Sequence, residues 1–280
     1  MININATLQE NTNTISLNNR GFNYGDAVFE TIKVSNTKIL FWEDHYFRLM
    51  ASMRIMRMEI PMNFTMEYLE SQILKTITAN NADNKTVRVK FLVSRSEGGL
   101  YYPTTNSVDF HISIKVLDQE FYVLNEETYV VDLYKDFYVA PTLLSTLKTN
   151  NKALNVLASI YAKENDFDNS LLLNTNKSIV EALNGNLFLV KGTTIKTPPL
   201  EDGCLNGVMR KQLIELIKLM PDYTLEESSI SPFELQKADE LFITNVITGI
   251  QPITNYRKKS FKSEVAKLVL QKINVKIRLG

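Results

Sequence analysis

Residues 27–58 read AVFETIKVSNTKILFWEDHYFRLMASMRIMRM, and the hydrophobic period of this stretch changes part-way along. Two β-branched and aromatic runs, 27–34 and 38–42, flank a turn signal at 35–37, which predicts a hairpin. From residue 43 to residue 58, apolar side chains recur every three or four positions, which predicts an amphipathic helix. A strand pair followed directly by a helix indicates the start of an α+β unit.

A domain connection is expected at 117–127, where hydrophobic periodicity is weak. Further strands and helices are predicted on both sides of it. Before it, a helix is predicted over 65–80 and strands over 86–94 and 107–117. After it, strands are predicted at 128–135, 169–174, 178–183, 186–191 and 239–245, and helices at 151–164, 206–220 and 260–273. The sequence therefore predicts an α+β or α/β protein with a small α+β domain, residues 1–120, and a larger domain, residues 121–280.

Composition excludes several classes of protein. The 280 residues carry 31 basic and 31 acidic side chains, so no net positive field favours nucleic acid. No apolar run reaches the roughly 18 residues that a membrane span needs. Cys204 is the single cysteine and cannot form an intramolecular disulfide, and the polar N-terminus lacks an export-signal pattern. We expect a cytoplasmic protein with no nucleic-acid or membrane partner.

Glycine and histidine are scarce, which narrows the chemistry. None of the ten glycines is spaced as in a Rossmann or P-loop phosphate cradle. The two histidines, His45 and His111, are too few for a metal site rich in histidine and cysteine, so no metal is predicted. The remaining chemistry belongs to lysine, carboxylates or an organic cofactor.

Two residues stand out as candidates for that chemistry. Lys148 follows eleven uncharged residues, 137–147, and partial desolvation there would lower the pKa of its amine and favour Schiff-base formation. Glu181 lies in the largely apolar stretch 178–190, where a buried carboxylate needs a cationic or donor partner. The alternatives are a surface lysine that ends a strand and an ordinary edge-strand glutamate.

Two further features suit an anion. The sequence NGVMR at 206–210 opens a predicted helix, whose first backbone amides can bind an anion. Arg48, beside the Met-rich stripe of the first long helix, could add a charge-assisted bond. A capped helix end and a solvated arginine are the alternatives.

Seven segments of the chain together resemble a known family. They are RGFNYGDAVFET (20–31), HYFRL (45–49), LKTNNKALNVLA (147–158), SLLLN (170–174), VEALNGNLF (180–188), TPPL (197–200) and CLNGVMR (204–210). Over nearly its whole length the chain is similar to the class IV aminotransferases, pyridoxal-phosphate enzymes of fold type IV. This family includes branched-chain and D-amino-acid aminotransferases and 4-amino-4-deoxychorismate lyase.

The resemblance implies a two-domain subunit with pyridoxal 5'-phosphate in the interdomain cleft, and a homodimer acting on small amino and oxo acids. Lys148 matches the Schiff-base lysine, and Glu181 matches the carboxylate that keeps the pyridine nitrogen protonated, so that the ring withdraws electrons. The positions that match the other cofactor contacts, chiefly those to the phosphate, are Arg48, Asn186, Val208, Met209, Val246 and Ile247.

The expected substrate residues favour a transaminase. Leu100 and Tyr102 stand where relatives acting on D-amino acids have arginine and histidine, so a D-alanine activity is disfavoured. With Phe29 they would form an apolar rim suited to a branched-chain or aromatic L-amino acid. Arg88 and Lys90 alternate onto one strand face and could bind the second carboxylate of glutamate, although a solvated strand face is the alternative.

Other positions resemble the lyase. Met209 replaces a threonine that most transaminating relatives have, and Asn245, which we expect near the substrate, is also more typical of aminodeoxychorismate lyase. The lyase therefore remains the main alternative to the aminotransferase. A protein that binds pyridoxal phosphate without turnover is a third hypothesis, which the presence of both Lys148 and Glu181 disfavours.

Overall fold

The computed structural model describes residues 1–10 and 15–279, and the chain forms two compact units. The first contains Met1–Glu120 and Leu147–Asn151, and the second contains Phe121–Thr146 and Lys152–Gly280. The division predicted from the sequence placed the short segment Leu147–Asn151 in the second part. We propose that the two units are the two domains of the chain, with this segment belonging to the first.

The first unit is built on a six-stranded sheet with strand order β2-β1-β6-β5-β3-β4. Its elements are β1 (Ile2–Ile4), β2 (Thr7–Gln9), α1 (Arg20–Tyr24), β3 (Ala27–Ser35), β4 (Lys38–Ile39), α2 (Trp42–Ile55), α3 (Met66–Thr78), β5 (Thr86–Arg95) and β6 (Val108–Leu117). The central strands β3, β5 and β6 are antiparallel neighbours. The long α2 and α3 supply most of the helical side chains of the core.

Alternation along β3 and β5 separates two faces of this sheet. Val28, Ile32 and Val34 of β3 pack into the core with α2 and α3 side chains such as Leu49 and Ile73. The intervening residues of β3 and β5 point to the opposite face, which is only partly buried over much of its length. The second face therefore remains accessible for binding.

The second unit contains two five-stranded sheets, ordered β12-β11-β10-β13-β14 and β16-β15-β7-β8-β9. Its elements are β7 (Val130–Val139), α4 (Ala153–Glu164), β8 (Asn169–Asn174), β9 (Ile179–Ala182), β10 (Asn186–Lys191), β11 (Thr194–Thr197), α5 (Val208–Lys218), β12 (Thr224–Glu227), α6 (Pro232–Lys237), β13 (Glu240–Asn245), β14 (Gly249–Ile253), β15 (Asn255–Tyr256), β16 (Lys259–Ser260) and α7 (Glu264–Leu279). Short 3₁₀ helices occur at Leu143–Thr146 and Leu200–Asp202. The two sheets share one apolar core, to which both β8 and β13 contribute.

Most predicted elements are present, with shifted ends. The strands predicted at 169–174 and 186–191 are confirmed. The strand predicted at 38–42 is shorter, because Phe41 takes a left-handed conformation and Trp42 already begins α2. The last helix was predicted at 260–273 but spans Glu264–Leu279. Within the described residues, no helix is long and apolar enough to cross a membrane.

Candidate active site

The segment that carries Lys148 continues the edge of the first unit's sheet. The Phe29 N–H donates to the Lys148 carbonyl and the Asn150 N–H donates to the Ala27 carbonyl, each at 2.9 Å. The Lys148 side chain is half-buried, and its Nζ lies 4.7 Å from the centre of the Phe29 ring. Backbone pairing and a cation–π contact therefore hold this amine in place.

The same face of the sheet is rich in cations. Lys90 Nζ lies 5.2 Å from the Phe29 ring centre, and the strand register places Arg88 opposite Lys33. Burial, and then the charge of Arg88, lower the pKa of Lys90. Burial lowers the pKa of Lys33 to about 8, although Glu120 acts in the opposite sense. A face of partly dehydrated cations favours an anionic ligand.

Arg48 lies on α2, against the core face of β3. Its Nε donates to Glu30 Oε1 at 2.8 Å, and its second guanidinium nitrogen contacts Glu30 Oε2. His45 Nδ1 lies 2.7 Å from the same Oε2. Arg48 is thus part of a buried charged cluster and not a solvated helical arginine.

The loop after β5 carries Leu100 and Tyr102, whose side chains are 76% and 88% exposed. The Arg20 guanidinium donates to the carbonyls of Gly98 and Leu100, which fixes the base of the loop. In a single chain, both side chains are therefore largely open to solvent. The apolar rim that they were expected to form with Phe29 stays a prediction.

In the second unit, Glu181 and Asn186 hold the loop that leads into α5. The Leu205 N–H donates to Glu181 Oε2 at 2.9 Å, and Asn186 Nδ2 donates to the Leu205 carbonyl at 2.8 Å. A Cβ on Gly207 would lie 2.0 Å from Asn186 Oδ1, so only glycine allows this close approach. The structure therefore brings Glu181 and Asn186 together around one loop.

The start of α5 is arranged to receive an anion. Val208 and Met209, both buried, form its first turn, and Gly207 is the N-cap residue. No side chain of the described residues caps this end. The amides of the first turn have no partner within a helix and add to the positive end of its dipole, so they favour an anion.

Asn245 is the last residue of β13, and Val246 and Ile247 follow it in the turn before β14. Asn245 Oδ1 accepts from the backbone amides of Ile247 at 3.0 Å and Thr248 at 2.9 Å. The hydroxyl of buried Tyr122 donates to the Val246 carbonyl at 2.7 Å. In this conformation the Ile247 amide, which was expected to contact the cofactor or substrate, is bonded to Asn245.

The family model for class IV amino-transferases matches residues 27–256. The chain belongs to the class IV aminotransferase family. A Methanocaldococcus jannaschii protein provisionally named as a branched-chain-amino-acid aminotransferase is 28% identical over 239 residues, which cover 85% of this chain and 81% of that protein. An aminodeoxychorismate lyase of Vibrio harveyi is 25% identical over 86% of each chain. A D-alanine aminotransferase of Listeria monocytogenes is 25% identical over 90% of this chain and 85% of its own.

Solved structures give the fold. The branched-chain aminotransferase of Thermoproteus uzoniensis, solved with norvaline, matches with a TM-score of 0.84 at 22% identity, over 96% of this chain and 92% of that chain. A second branched-chain amino acid aminotransferase, in complex with N-(5'-phosphopyridoxyl)-L-glutamate, matches with a TM-score of 0.85 at 22% identity, over 98% of this chain and 92% of that chain. The fold of this class IV aminotransferase is accordingly that of the fold-type IV pyridoxal-phosphate enzymes.

The residues of this chain fit the cofactor of the family, pyridoxal 5'-phosphate. The first turn of α5, which no described side chain caps, suits a phosphate, and the close approach at Gly207 keeps its entry free of side-chain bulk. Glu181 would offer a carboxylate to a protonated ring nitrogen, and Lys148 would offer a primary amine to an aldehyde. The described residues contain no group of three or more His, Cys, Asp and Glu side chains that could hold a metal.

Three residues with a part in these arrangements were not singled out from the sequence. Glu30 lies between Val28 and Ile32 on the strand face that points to the core. A carboxylate at such a position needs a hydrogen-bond or charge partner, and this is the signal that the sequence offers. His45 and Arg48 are three residues apart on one helix, which puts both on one face. The bond from Tyr122 to Val246 joins residues 124 positions apart, and no local pattern indicates it.

Proposed function

We propose that the chain is a pyridoxal-phosphate-dependent aminotransferase that moves an amino group between an apolar L-amino acid and a 2-oxo acid. The observation that carries this proposal is the position of the Lys148 amine. It lies 4.7 Å from the Phe29 ring centre, on a sheet face that also holds Arg88 and Lys90. An amine, an apolar surface and cations on one face suit a carboxylate substrate with an apolar side chain.

Each proposed cofactor contact follows from the chemistry of its residue. Lys148 binds the aldehyde carbon, Glu181 keeps the ring nitrogen protonated, and Arg48 with the first turn of α5 binds the phosphate. Asn186, Val246 and Ile247 complete the proposed contacts. When bound, pyridoxal phosphate supplies an electron-withdrawing ring that stabilises negative charge at the substrate α-carbon.

Lys148 has two proposed roles in sequence. It holds the cofactor until the substrate amine replaces it, and its released amine then accepts the proton from the α-carbon. The same amine would then donate this proton at the aldehyde-derived carbon of the cofactor, which is two bonds away from the α-carbon. Its fixed backbone on the sheet edge keeps the amine within reach for both transfers.

The cationic strand face supports glutamate as one amino donor. Arg88 and Lys90 are half-buried neighbours on β5, and burial has already lowered the pKa of Lys90. We propose that Arg88 and Lys90 bind the second carboxylate of glutamate or 2-oxoglutarate, while Phe29 contacts an apolar side chain. One site can then accept both partners of a transamination.

The exposed loop supports a homodimer. Leu100, Tyr101 and Tyr102 are 76%, 89% and 88% exposed in a single chain, although all three are large and apolar or aromatic. We propose that a second copy of the chain covers these side chains and that Leu100 and Tyr102 line its substrate site. A monomer at working concentrations would contradict this part of the proposal.

An aminodeoxychorismate lyase is the second candidate. Asn245 ends β13 and accepts from two backbone amides of the turn that follows. Met209 is buried at the first turn of α5, where it offers no hydroxyl to an anion. Both residues were linked to the lyase from the sequence, and the V. harveyi relative carries that name.

Adding substrates one at a time to the cofactor-loaded protein separates the two functions. An aminotransferase converts the visible absorption of the lysine-bound cofactor to that of pyridoxamine phosphate when L-leucine or L-glutamate is added without an oxo acid. A lyase releases pyruvate from aminodeoxychorismate, and the absorption of the lysine-bound cofactor is the same after the reaction as before it. Conversion by D-alanine but not by L-amino acids would contradict the proposed L-specificity.

A further inference from the structure

A buried carboxylate bridges two side chains of α2 in the first unit. Glu30 is 1% exposed and His45 is fully buried, while the Arg48 side chain is 10% exposed. Both Glu30 oxygens bond to the Arg48 guanidinium, and Oε2 also contacts His45 Nδ1 at 2.7 Å. Two bonds to a planar guanidinium fix its plane as well as its position.

The charges in this cluster follow from its contacts. Burial raises the pKa of Glu30, but the Arg48 charge and the bonds from His45 and Arg48 outweigh burial and lower the pKa to about 2. An ionised carboxylate only accepts hydrogen bonds, so His45 Nδ1 is the donor. Burial lowers the pKa of His45; the bond and charge of Glu30 act in the opposite sense, and the charges of Arg48 and Lys148 lower it further. His45 is therefore a neutral imidazole that donates to Glu30.

The other nitrogen of His45 shows what holds the ring. Nε2 is buried and has no hydrogen-bond partner among the described residues. A buried unpaired acceptor costs free energy, and Nε2 does nothing to hold the imidazole ring. The ring orientation is therefore maintained by packing and by the Nδ1 bond to Glu30. The orientation of the Arg48 guanidinium then depends on Glu30, to which His45 also bonds.

We propose that Glu30 and His45 are positioning residues that hold the Arg48 guanidinium in the orientation in which it binds the cofactor phosphate. The inference rests on the phosphate contact proposed above for Arg48. Glu30 follows Phe29 directly on β3, and Phe29 pairs with the Lys148 backbone. The cluster therefore ties the phosphate-binding arginine to the strand that also positions the lysine.

The test compares two ligands that differ only in the phosphate. Apoprotein is titrated with pyridoxal 5'-phosphate and with pyridoxal, and visible absorption reports binding of each. For Glu30→Gln we expect affinity for pyridoxal phosphate to fall by about tenfold or more, since a charge-assisted bond is weakened. Affinity for pyridoxal should not change. Equal losses for both ligands would show a merely structural role and overturn the proposal.

Two further variants identify which statement fails. Arg48→Lys should reproduce the selective loss of pyridoxal phosphate; if it does not, the phosphate contact of Arg48 is wrong. If Arg48→Lys discriminates between the ligands but Glu30→Gln does not, only the positioning role is overturned. Glu234→Gln is the matched control. It removes the α6 carboxylate that accepts from Lys196 at 2.7 Å, and it should leave the affinities for pyridoxal phosphate and for pyridoxal unchanged.

A pair of substitutions at His45 keeps the test decisive if Glu30→Gln does not fold. His45→Asn retains an N–H donor near the position of Nδ1, whereas His45→Leu removes it with a similar volume. Positioning predicts that His45→Asn keeps the preference for pyridoxal phosphate over pyridoxal and that His45→Leu lowers it. Identical preferences in the two variants would overturn the proposal.

Discussion

The Asp26 carboxylate joins two nearly buried arginines in the first unit. Its Oδ2 accepts from Arg20 Nε and from Arg95 Nε, each at 2.9 Å, and the two arginine side chains are 3% and 7% exposed. Arg20 also donates to the base of the loop that carries Leu100 and Tyr102. Asp26→Asn removes the negative charge while keeping the size of the side chain.

The expected loss can be worked from these contacts. Leaving buried charge without its partner costs about 3–5 kcal/mol. Arg20 and Arg95 keep backbone carbonyl acceptors, including those of Leu100 and Met56, so we expect the lower end, about 3 kcal/mol. At roughly 2–4 °C per kcal/mol for a chain of this size, the melting temperature should fall by about 6–12 °C.

Calorimetry or denaturant unfolding of the full chain measures this loss, and hydrogen exchange of residues 98–101 reports whether the loop loosens. Asp239→Asn is the matched control, because Asp239 pairs with Lys191 while the two side chains are 45% and 60% exposed. An exposed pair contributes about 0.2–1 kcal/mol. If Asp26→Asn costs no more than Asp239→Asn, or leaves loop exchange unchanged, the two arginines do not depend on Asp26 and the reasoning is refuted.

Three further predictions concern other buried contacts. Glu240→Gln should lower the free energy of unfolding by about 1–2 kcal/mol in denaturant titrations, because the buried carboxylate accepts from the first amides of α7; an unchanged midpoint would contradict this. Gly207→Ala should weaken cofactor binding by about tenfold in absorption titrations, since its Cβ would lie 2.0 Å from Asn186 Oδ1 and would displace the Asn186 side chain. The folded-state pKa of Glu30 is lowered from 4.5 to about 2, so its contribution to stability is present above pH 4.5 and is lost as pH falls toward 2. The stability difference between wild type and Glu30→Gln should therefore shrink by up to about 3 kcal/mol over that range in pH-dependent denaturation, whereas a constant difference would rule out a lowered pKa.

Local patterns predict much of the fold. Three-to-four spacing in α2 and α3 and alternation in β5 depend on neighbours within a few residues, so the ends of these elements were predicted to within three residues. The end of β4 was missed because the left-handed Phe41 is not a glycine or asparagine, the residues that usually signal this conformation. The short α6 and the two-residue strands are too short for a period to show.

The site could be predicted only in part, because several of its contacts join distant segments. The resemblance indicated Lys148, Glu181 and Arg48 through matching motifs. It did not indicate that Lys148 pairs with β3, more than a hundred residues earlier, or that Glu181 accepts from Leu205 across a loop. Such contacts depend on tertiary packing, and no spacing within a motif encodes them.

Chemical trapping of the cofactor tests the proposed centre of the site most directly. Protein incubated with pyridoxal phosphate is reduced with borohydride, digested, and mapped by mass spectrometry. We predict that the phosphopyridoxyl group is on Lys148, that Lys148→Ala abolishes the label, and that Lys152→Ala, four residues away, keeps it. Labelling of Lys152 in place of Lys148, or undiminished specific labelling of Lys148→Ala, would contradict the assignment of the catalytic lysine.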